Sequence, residues 1–348
     1  MISADSYQST NGKPRIERVF PQAAVPGGEL QVWGSGFYSH GSSRALVQFG
    51  SIEGSLLVSS DRYLVTRVPD GAVSCNLLVA NENISSAPFP VEIGASIADE
   101  VHPVANPAVD HDGNIFVTFS GQRGQKVPVC VYKIDANHDK KPFLTEPMNP
   151  TGMVFDAEGY LYISSRNDGN IYRASPNGTL TVYAEGMGIA TGLAFDHQGF
   201  LYVGDRSGTV FKISPDRKIF VFATLEPSIS AYHLAFGPDG FLYITGPTTS
   251  SYDSVNRIST NGDVEKFYRG LGRPQGMAFD IAGNLYVAAS QGGRKGIFRI
   301  NPARQCELVI AGTGLVGLAF MKGPAVILAS NQSLFHLNWD VKGMPLMG

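Results

Sequence analysis

The chain has 348 residues, enough for two domains, and its 43% hydrophobic and 16% charged residues exclude a largely disordered protein. A formal net charge of -3 at pH 7 gives no global attraction to nucleic acid or acidic membranes, and no apolar stretch approaches the length of a membrane span. Three widely spaced cysteines argue against a disulfide framework or a cysteine metal cluster.

The first residues are polar and lack the apolar core of a signal peptide, so residues 1–13 are predicted to form a disordered leader. We therefore expect a soluble protein, cytoplasmic as written, or secreted if a signal has been removed. We also expect a monomer that does not bind membranes.

Residues 14–95 contain short alternating strand patterns separated by turn signals, as in a small sandwich of β-strands. The segment resembles an IPT/TIG domain, which implies an immunoglobulin-like fold. The residues that carry the resemblance include Pro26-Gly27-Gly28, Gly34-Ser35-Gly36-Phe37, Phe49-Gly50, Val68-Pro69 and Phe89-Pro90.

One phrase recurs through the rest of the chain: GLAFDHQGFLYVGD at residues 192–205 is echoed by GMVFDAEGYLYISS, HLAFGPDGFLYITG and GMAFDIAGNLYVAA. Its turn glycines lie about 40 to 46 residues apart, a period typical of β-propeller blades. Residues 96–348 are therefore predicted to form a six-bladed β-propeller, and the whole chain to be all-β. The glycines are Gly113, Gly159, Gly199, Gly240, Gly283 and Gly323.

Each repeat is predicted to hold four strands, A to D, which in the third repeat read GLAFD, FLYVGD, VFKIS and IFVFAT. The B–C loops and the starts of strands A then share one face of the propeller. The ring can close in two ways: residues 95–101 complete the last blade, or the tail GMPLMG does.

Two residue types in the phrase have structural roles. Strand A carries a phenylalanine that is expected to fill the space between neighbouring blades, namely Phe155, Phe195, Phe236, Phe279 or Phe320. Asp156, Asp196 and Asp280 follow strand A and suit a turn whose backbone amides need an acceptor.

With these motifs, residues 96–348 resemble six-bladed propellers of the NHL and gluconolactonase/senescence-marker type. The resemblance implies a divalent cation held by Glu, Asn and Asp just before the strand-A glycines. Here those positions hold no carboxylate, so we expect no metal or cofactor, although weak binding of a divalent cation stays open. For the same reason we favour a protein that is not an enzyme. The residues are Asn106, Thr151, Thr191, Tyr232, Gln275 and Val316.

An enzyme remains the alternative. His102, Tyr232 and His233 fall near the same channel mouth, and some propeller lyases use histidine. The competing interpretation is that both histidines are structural.

The B–C loops are rich in arginine, although the protein as a whole is slightly acidic. We name Arg123, Lys126, Arg166, Arg206 and Arg294 the basic crown. If the crown converges on the channel mouth, it would bind an anionic small molecule, saccharide or peptide. Alternatively, Arg166 pairs with Asp168 and Arg206 with Asp205.

The favoured hypothesis is a binding module that uses the crown and the polar residues Asn106, Thr151, Thr191, Tyr232 and Gln275 for an anionic small molecule, saccharide or protein. A lactonase or lyase comes second. An RNA-binding NHL propeller comes third, because the chain lacks global basicity.

Overall fold

The computed structural model describes residues 13–38, 45–81, 84–122, 124–250 and 252–344. Within these ranges the regular elements are β-strands, and no helix is long and apolar enough to cross a membrane. The chain divides into two compact units, residues 1–95 with 310–312 and residues 96–309 with 313–348. Apart from Lys13, the predicted leader lies outside the described residues.

The first unit is built from antiparallel strands that pair in the order β1-β3-β6-β5-β4-β7-β9, with β8 also on β7. Burial alternates along β3, where Leu30 and Val32 are fully buried. The strands are β1 (Arg15–Phe20), β2 (Ala23–Ala24), β3 (Glu29–Ser35), β4 (Leu46–Phe49), β5 (Ile52–Ser59), β6 (Tyr63–Arg67), β7 (Cys75–Asn81), β8 (Ile84–Ser85) and β9 (Phe89–Ile93).

The second unit has a β-propeller arrangement in which each repeat contributes consecutive antiparallel strands. Repeat 1 has β11 (Ala108–Val109), β12 (Ile115–Thr118), β13 (Val131–Ile134) and β14 (Lys140–Leu144). Repeat 2 has β15 (Pro150–Phe155), β16 (Leu161–Ser165), β17 (Ile171–Ala174) and β18 (Leu180–Ala184). Repeat 3 has β19 (Ala190–Phe195), β20 (Leu201–Asp205), β21 (Thr209–Ile213) and β22 (Ile219–Thr224).

The later repeats follow the same plan. Repeat 4 has β23 (His233–Phe236), β24 (Leu242–Thr245), β25 (Asp253–Ile258) and β26 (Val264–Leu271). Repeat 5 has β27 (Met277–Phe279), β28 (Leu285–Gln291), β29 (Arg294–Ile300) and β30 (Cys306–Ala311). Repeat 6 has β31 (Leu315–Phe320), β32 (Ala325–Ser330) and β33 (Leu334–Asn338), and its fourth strand is β10 (Ala95–Ala98).

The described residues form five separate four-stranded sheets, whereas the sequence predicts six blades. The strands of repeat 5 pair in the order β27-β28-β29-β30 but belong to a thirteen-stranded sheet. The reason is that Ile310 and Ala311 at the end of β30, which belong to the first unit, pair in parallel with Ala23 and Ala24 of β2. The hydrogen bonding of β30 therefore continues beyond its own repeat.

The last sheet is completed from the start of the propeller segment. β10 pairs with β33, so residues 95–98 and not the tail supply the outer strand of repeat 6. The tail instead runs beside strand A of repeat 5, where Met344 N donates to Phe279 O at 2.9 Å.

The expected packing of the strand-A phenylalanines is confirmed. Each ring contacts the strand-B aromatic ring of the preceding repeat at an interplanar angle between 70° and 85°. This edge-to-face geometry is favourable for aromatic quadrupoles. The pairs are Phe116–Phe155, Tyr162–Phe195, Tyr202–Phe236, Tyr243–Phe279 and Tyr286–Phe320.

The structural role of the strand-A aspartates is also confirmed. Asp196 Oδ1 accepts hydrogen bonds from the backbone amides of Gln198 and Phe200, both at 2.9 Å. Asp156 and Asp280 bond the equivalent amides in their own repeats. These carboxylates stabilise the A–B turns by accepting hydrogen bonds from the turn amides, which explains why aspartate recurs at this position of the repeat.

Candidate functional site

The threonines before the strand-A glycines lie inside the protein. Thr151 is 2% exposed and Thr191 is 1% exposed. Thr191 Oγ1 donates to Gly204 O at 2.8 Å and accepts from Tyr232 N at 3.1 Å. Its hydroxyl therefore joins strand B of repeat 3 to the residue just before strand A of repeat 4.

Asn106 has a similar joining role. Its Nδ2 donates to Met277 O at 2.8 Å, and its Oδ1 accepts from Leu318 N at 3.1 Å. Gln275 is half-buried, and its carbonyl accepts from Thr245 Oγ1 at 2.7 Å. The central cavity next to these residues, about 170 Å³, is lined mainly by apolar strand-A side chains and Met344.

The three candidate catalytic residues do not form a described cluster. Tyr232 is 3% exposed, its hydroxyl donates to Glu226 O, and burial with nearby carboxylates raises its pKa to about 12. His233 is 5% exposed, and burial lowers its pKa to about 4, so the imidazole is neutral near pH 7. His102 is exposed and lies in repeat 1, with Nδ1 3.2 Å from Asn331 O and its ring against Phe119.

Two crown arginines reach across to neighbouring loops. Arg166 Nη2 donates to Gly121 O at 3.0 Å and to Ser120 Oγ at 3.2 Å. Arg206 Nε donates to Ser228 O at 3.2 Å. Both side chains are half-buried, so their described bonds brace the loops of adjacent repeats.

The carboxylates proposed as local partners of these arginines bond other groups. Asp168 Oδ1 accepts from Asn170 N at 3.0 Å, and its Oδ2 accepts from Tyr172 OH at 2.7 Å. Asp205 Oδ1 accepts from Ile189 N at 2.7 Å, and its Oδ2 accepts from Ser207 Oγ.

The other crown residues that the structure describes are Arg294 and Lys126. Arg294 is exposed at the start of β29. Lys126 Nζ is 3.9 Å from Glu146 Oε1, and both side chains are largely exposed. Arg123 lies outside the described residues.

Loss of the Arg206 side chain is expected to cost stability. We expect Arg206→Ala to lower the free energy of unfolding by about 1 kcal/mol, because a half-buried charged donor is lost and the Ser228 carbonyl loses its partner. Thermal unfolding would show a shift of about 3 °C. Lys295→Ala, an exposed neighbour of Arg294, is the control, and equal melting of the two variants would contradict the bracing role.

A cavity that sequence reasoning missed lies on the B–C loop side, between repeats 3 and 4. Its volume is about 250 Å³. Part of its lining comes from the B–C loop GPTTSSYDS. This loop carries no arginine, so the sequence did not predict a binding site there. The lining includes Glu226, Tyr232, Thr248, Ser250, Tyr252, Asp253, Asn256, Lys266 and Arg269.

Asp253 is the unusual residue of this cavity. It is 3% exposed, and its Oδ1 accepts from Thr248 Oγ1 at 2.8 Å and from Thr248 N at 3.0 Å. Its Oδ2 is buried and has no hydrogen-bond partner among the described residues. A buried carboxylate oxygen without a donor is costly, so this atom is a place where an incoming donor would be stabilising.

Besides Asp253, the lining contains two tyrosine rings and side chains of both charges. Tyr252 is 67% exposed, whereas Tyr232 is buried. Lys266 and Arg269 are exposed cationic donors from β26, and Glu226 is an exposed carboxylate. Over the part of the chain that is described, no group of three or more His, Cys, Asp or Glu residues is placed to hold a metal ion.

No family model matches the chain, and no curated protein matches it. Solved structures do. An auxiliary nutrient binding protein from Bacteroides thetaiotaomicron VPI-5482 aligns over 95% of this chain and 98% of its own, at 12% identity and a TM-score of 0.56. A proposed gluconolactonase covers 72% of this chain and 93% of its own, at 16% identity and a TM-score of 0.59.

A catalytically inactive virginiamycin B lyase from Staphylococcus aureus, solved with quinupristin, aligns over 81% of this chain and 93% of its own. Its identity is 16% and its TM-score 0.52. At identities this low, the likenesses show the fold alone, which is an all-β fold with a β-propeller arrangement.

Proposed function

We propose that this protein is a ligand-binding β-propeller that holds a saccharide, or another polyhydroxylated small molecule, in the cavity between repeats 3 and 4. The observation that carries the proposal is Asp253 Oδ2, a buried acceptor without a described partner in the lining of an open cavity. The proposal keeps the binding module expected from the sequence and moves its site from the crown to this cavity.

The cavity's chemistry suits sugar hydroxyls, which both donate and accept hydrogen bonds. Asp253 and Glu226 offer acceptors, while Lys266 and Arg269 offer donors. The exposed Tyr252 ring offers an apolar face with a polar tip, a combination common where ligands bind. A mixed lining of this kind orients a polar ligand by several bonds and does not depend on one dominant charge.

The comparisons are in keeping with a binding role. Two structural neighbours carry the name auxiliary nutrient binding protein, and both align over nearly all of this chain. The lactonase or lyase alternative is less well supported. Tyr232 and His233 have pKa values of about 12 and 4, too far from neutrality for efficient proton transfer.

We further propose that residues 14–95 form an IPT/TIG-like sandwich and that repeat 5 completes a six-bladed ring. Support for the sandwich is its antiparallel pairing with alternating burial along β3. Support for the sixth blade is the consecutive strand order β27-β28-β29-β30, which matches the order in four of the five separate sheets.

Calorimetric titration with a panel of neutral sugars and sugar acids tests the saccharide site. For the tightest binder of the panel, Tyr252→Ala is expected to weaken binding about tenfold by removing a stacking surface. Melting should stay unchanged because Tyr252 is exposed. Asp253→Asn replaces an acceptor by a donor and should weaken binding as well, with Thr248 still bonded to the remaining oxygen.

Tyr38→Ala is the matched control, since Tyr38 is a similarly exposed tyrosine of the other unit. It should bind the same sugar as the parent does. The proposal fails if no sugar of the panel binds, or if Tyr252→Ala and Asp253→Asn both retain the parent's affinity.

A further inference from the structure

Strand C carries a basic residue at the same place in every repeat, and the repeats differ in what it bonds. Arg257 in repeat 4 pairs with Glu265, and Arg299 in repeat 5 pairs with Glu307. In repeat 4, Glu265 on strand D lies directly opposite Arg257 on strand C. In repeat 5, Glu307 follows Arg299 at the same sequence spacing, again with one residue on strand C and the other on strand D. The six residues are Lys133, Arg173, Lys212, Arg257, Arg299 and His336.

Repeat 2 lacks this carboxylate. The residue opposite Arg173 is Thr181, which cannot neutralise a guanidinium group. Among the described residues, no ion pair within 4.0 Å involves Arg173. Its Nε is buried and has no acceptor in the described part of the chain, and its guanidinium carbon lies 3.7 Å from the centre of the Tyr160 ring.

Arg173 lines a cavity of about 720 Å³ on the side of the A–B turns, between repeats 2 and 3. Arg217 lines it as well, from the turn between strands C and D of repeat 3, with its guanidinium carbon 5.1 Å from the centre of the Tyr183 ring. Burial raises the pKa of Tyr183, and both guanidinium groups oppose that rise. Both guanidinium groups are therefore close enough to the Tyr183 hydroxyl to favour its ionised form, which agrees with their place in one cavity.

The carboxylates of the cavity are mostly engaged elsewhere. Asp156 Oδ1 accepts from the amides of its own turn, at 2.9 and 3.0 Å. Asp196 is held in the same way and also accepts from Tyr202 OH at 3.2 Å. Glu158 is exposed and is the remaining acid of the lining, which also includes His197.

We propose that this cavity is a second binding site, which takes the oxyanion of a small carboxylate or phosphate between Arg173 and Arg217. Guanidinium groups offer paired N–H donors that match such an oxyanion. The saccharide cavity lies on the opposite side of the propeller, between repeats 3 and 4, so the two sites share repeat 3 but no lining residue.

Titration calorimetry at constant ionic strength, with inorganic phosphate and with succinate as probes, tests the proposal. Arg173→Gln/Arg217→Gln is expected to weaken binding of the better probe about tenfold or more. Arg299→Gln/Arg304→Gln is the matched control: it removes the same charge from the same two repeat positions, where Arg299 is paired and Arg304 stacks over Phe267. The control should bind like the parent.

A second variant supplies the missing carboxylate. Thr181→Glu should pair with Arg173 as Glu265 does with Arg257, keep or raise the melting temperature, and abolish probe binding. The proposal is overturned if neither probe binds the parent, if both arginine pairs affect binding equally, or if the folded Thr181→Glu protein binds as the parent does. Sugar titrations on the same variants keep this result separate from the saccharide proposal.

Discussion

Replacing Tyr286 by alanine is expected to lower the free energy of unfolding by about 3 to 5 kcal/mol. Tyr286 is 1% exposed, and its ring packs edge-to-face on Phe320 at 5.4 Å and on Trp339 at 5.3 Å. Alanine would leave a cavity between repeats 5 and 6, and the surrounding strands can close it only in part. Chemical denaturation measures the loss directly.

Tyr286→Phe separates the ring from its hydroxyl. The hydroxyl donates to Asp280 Oδ2 at 3.0 Å, and that oxygen also accepts from Asn284 Nδ2 at 2.7 Å. Because the acceptor keeps one donor, we expect the phenylalanine variant to lose only about 1 kcal/mol. Equal losses for the two variants would show that the hydrogen bond, and not the packing between repeats, makes this residue important.

Acid is expected to destabilise the protein through His233. Its pKa is lowered by burial to about 4 in the folded protein, against about 6.5 in the unfolded chain. The unfolded state therefore binds the proton more tightly, so the stability from neutral His233 is complete above pH 6.5 and is lost as the pH falls towards 4. The loss amounts to about 3 kcal/mol by pH 4.

Denaturant unfolding of the parent and of His233→Leu between pH 7 and pH 4 isolates this contribution. The difference in unfolding free energy between the two proteins should shift by about 3 kcal/mol in favour of the variant over that range. His102→Gln, at an exposed histidine, is the control for the loss of an imidazole side chain. A constant difference between His233→Leu and the parent would contradict a depressed His233 pKa.

The propeller repeats could be predicted because each carries its own local signals. Gly199 adopts a φ of 80°, a left-handed conformation that glycine adopts without strain, and Asp196 caps the amides of the same turn. The strand-A phenylalanines also follow from the repeat, since each must pack on the next copy of the same phrase. The pairing of β2 with β30 carries no such signal, which is why the number of separate sheets differed from the prediction.

The site residues were harder to place because their environment depends on distances between strands that are remote in sequence. A Cβ on Gly192 would lie 2.5 Å from Tyr232 O, so neighbouring strands A nearly touch, and the Thr191 hydroxyl bonds backbone there. The arginine-rich loops showed charge but not which carbonyls the guanidinium groups reach. Asp253 could not be distinguished from other loop aspartates, because the sequence does not show that one of its oxygens is buried.

The pairing of β10 with β33 has a consequence for synthesis on the ribosome. β10 emerges before any other strand of the propeller and β33 emerges last, so the final sheet joins the two ends of that unit. Contacts between such distant segments form slowly, and the waiting strands keep unpaired backbone edges that other chains can bind. A chain that ends before residue 334 would leave β10 and β32 without their common partner, so this sheet can form only after β33 has been synthesised.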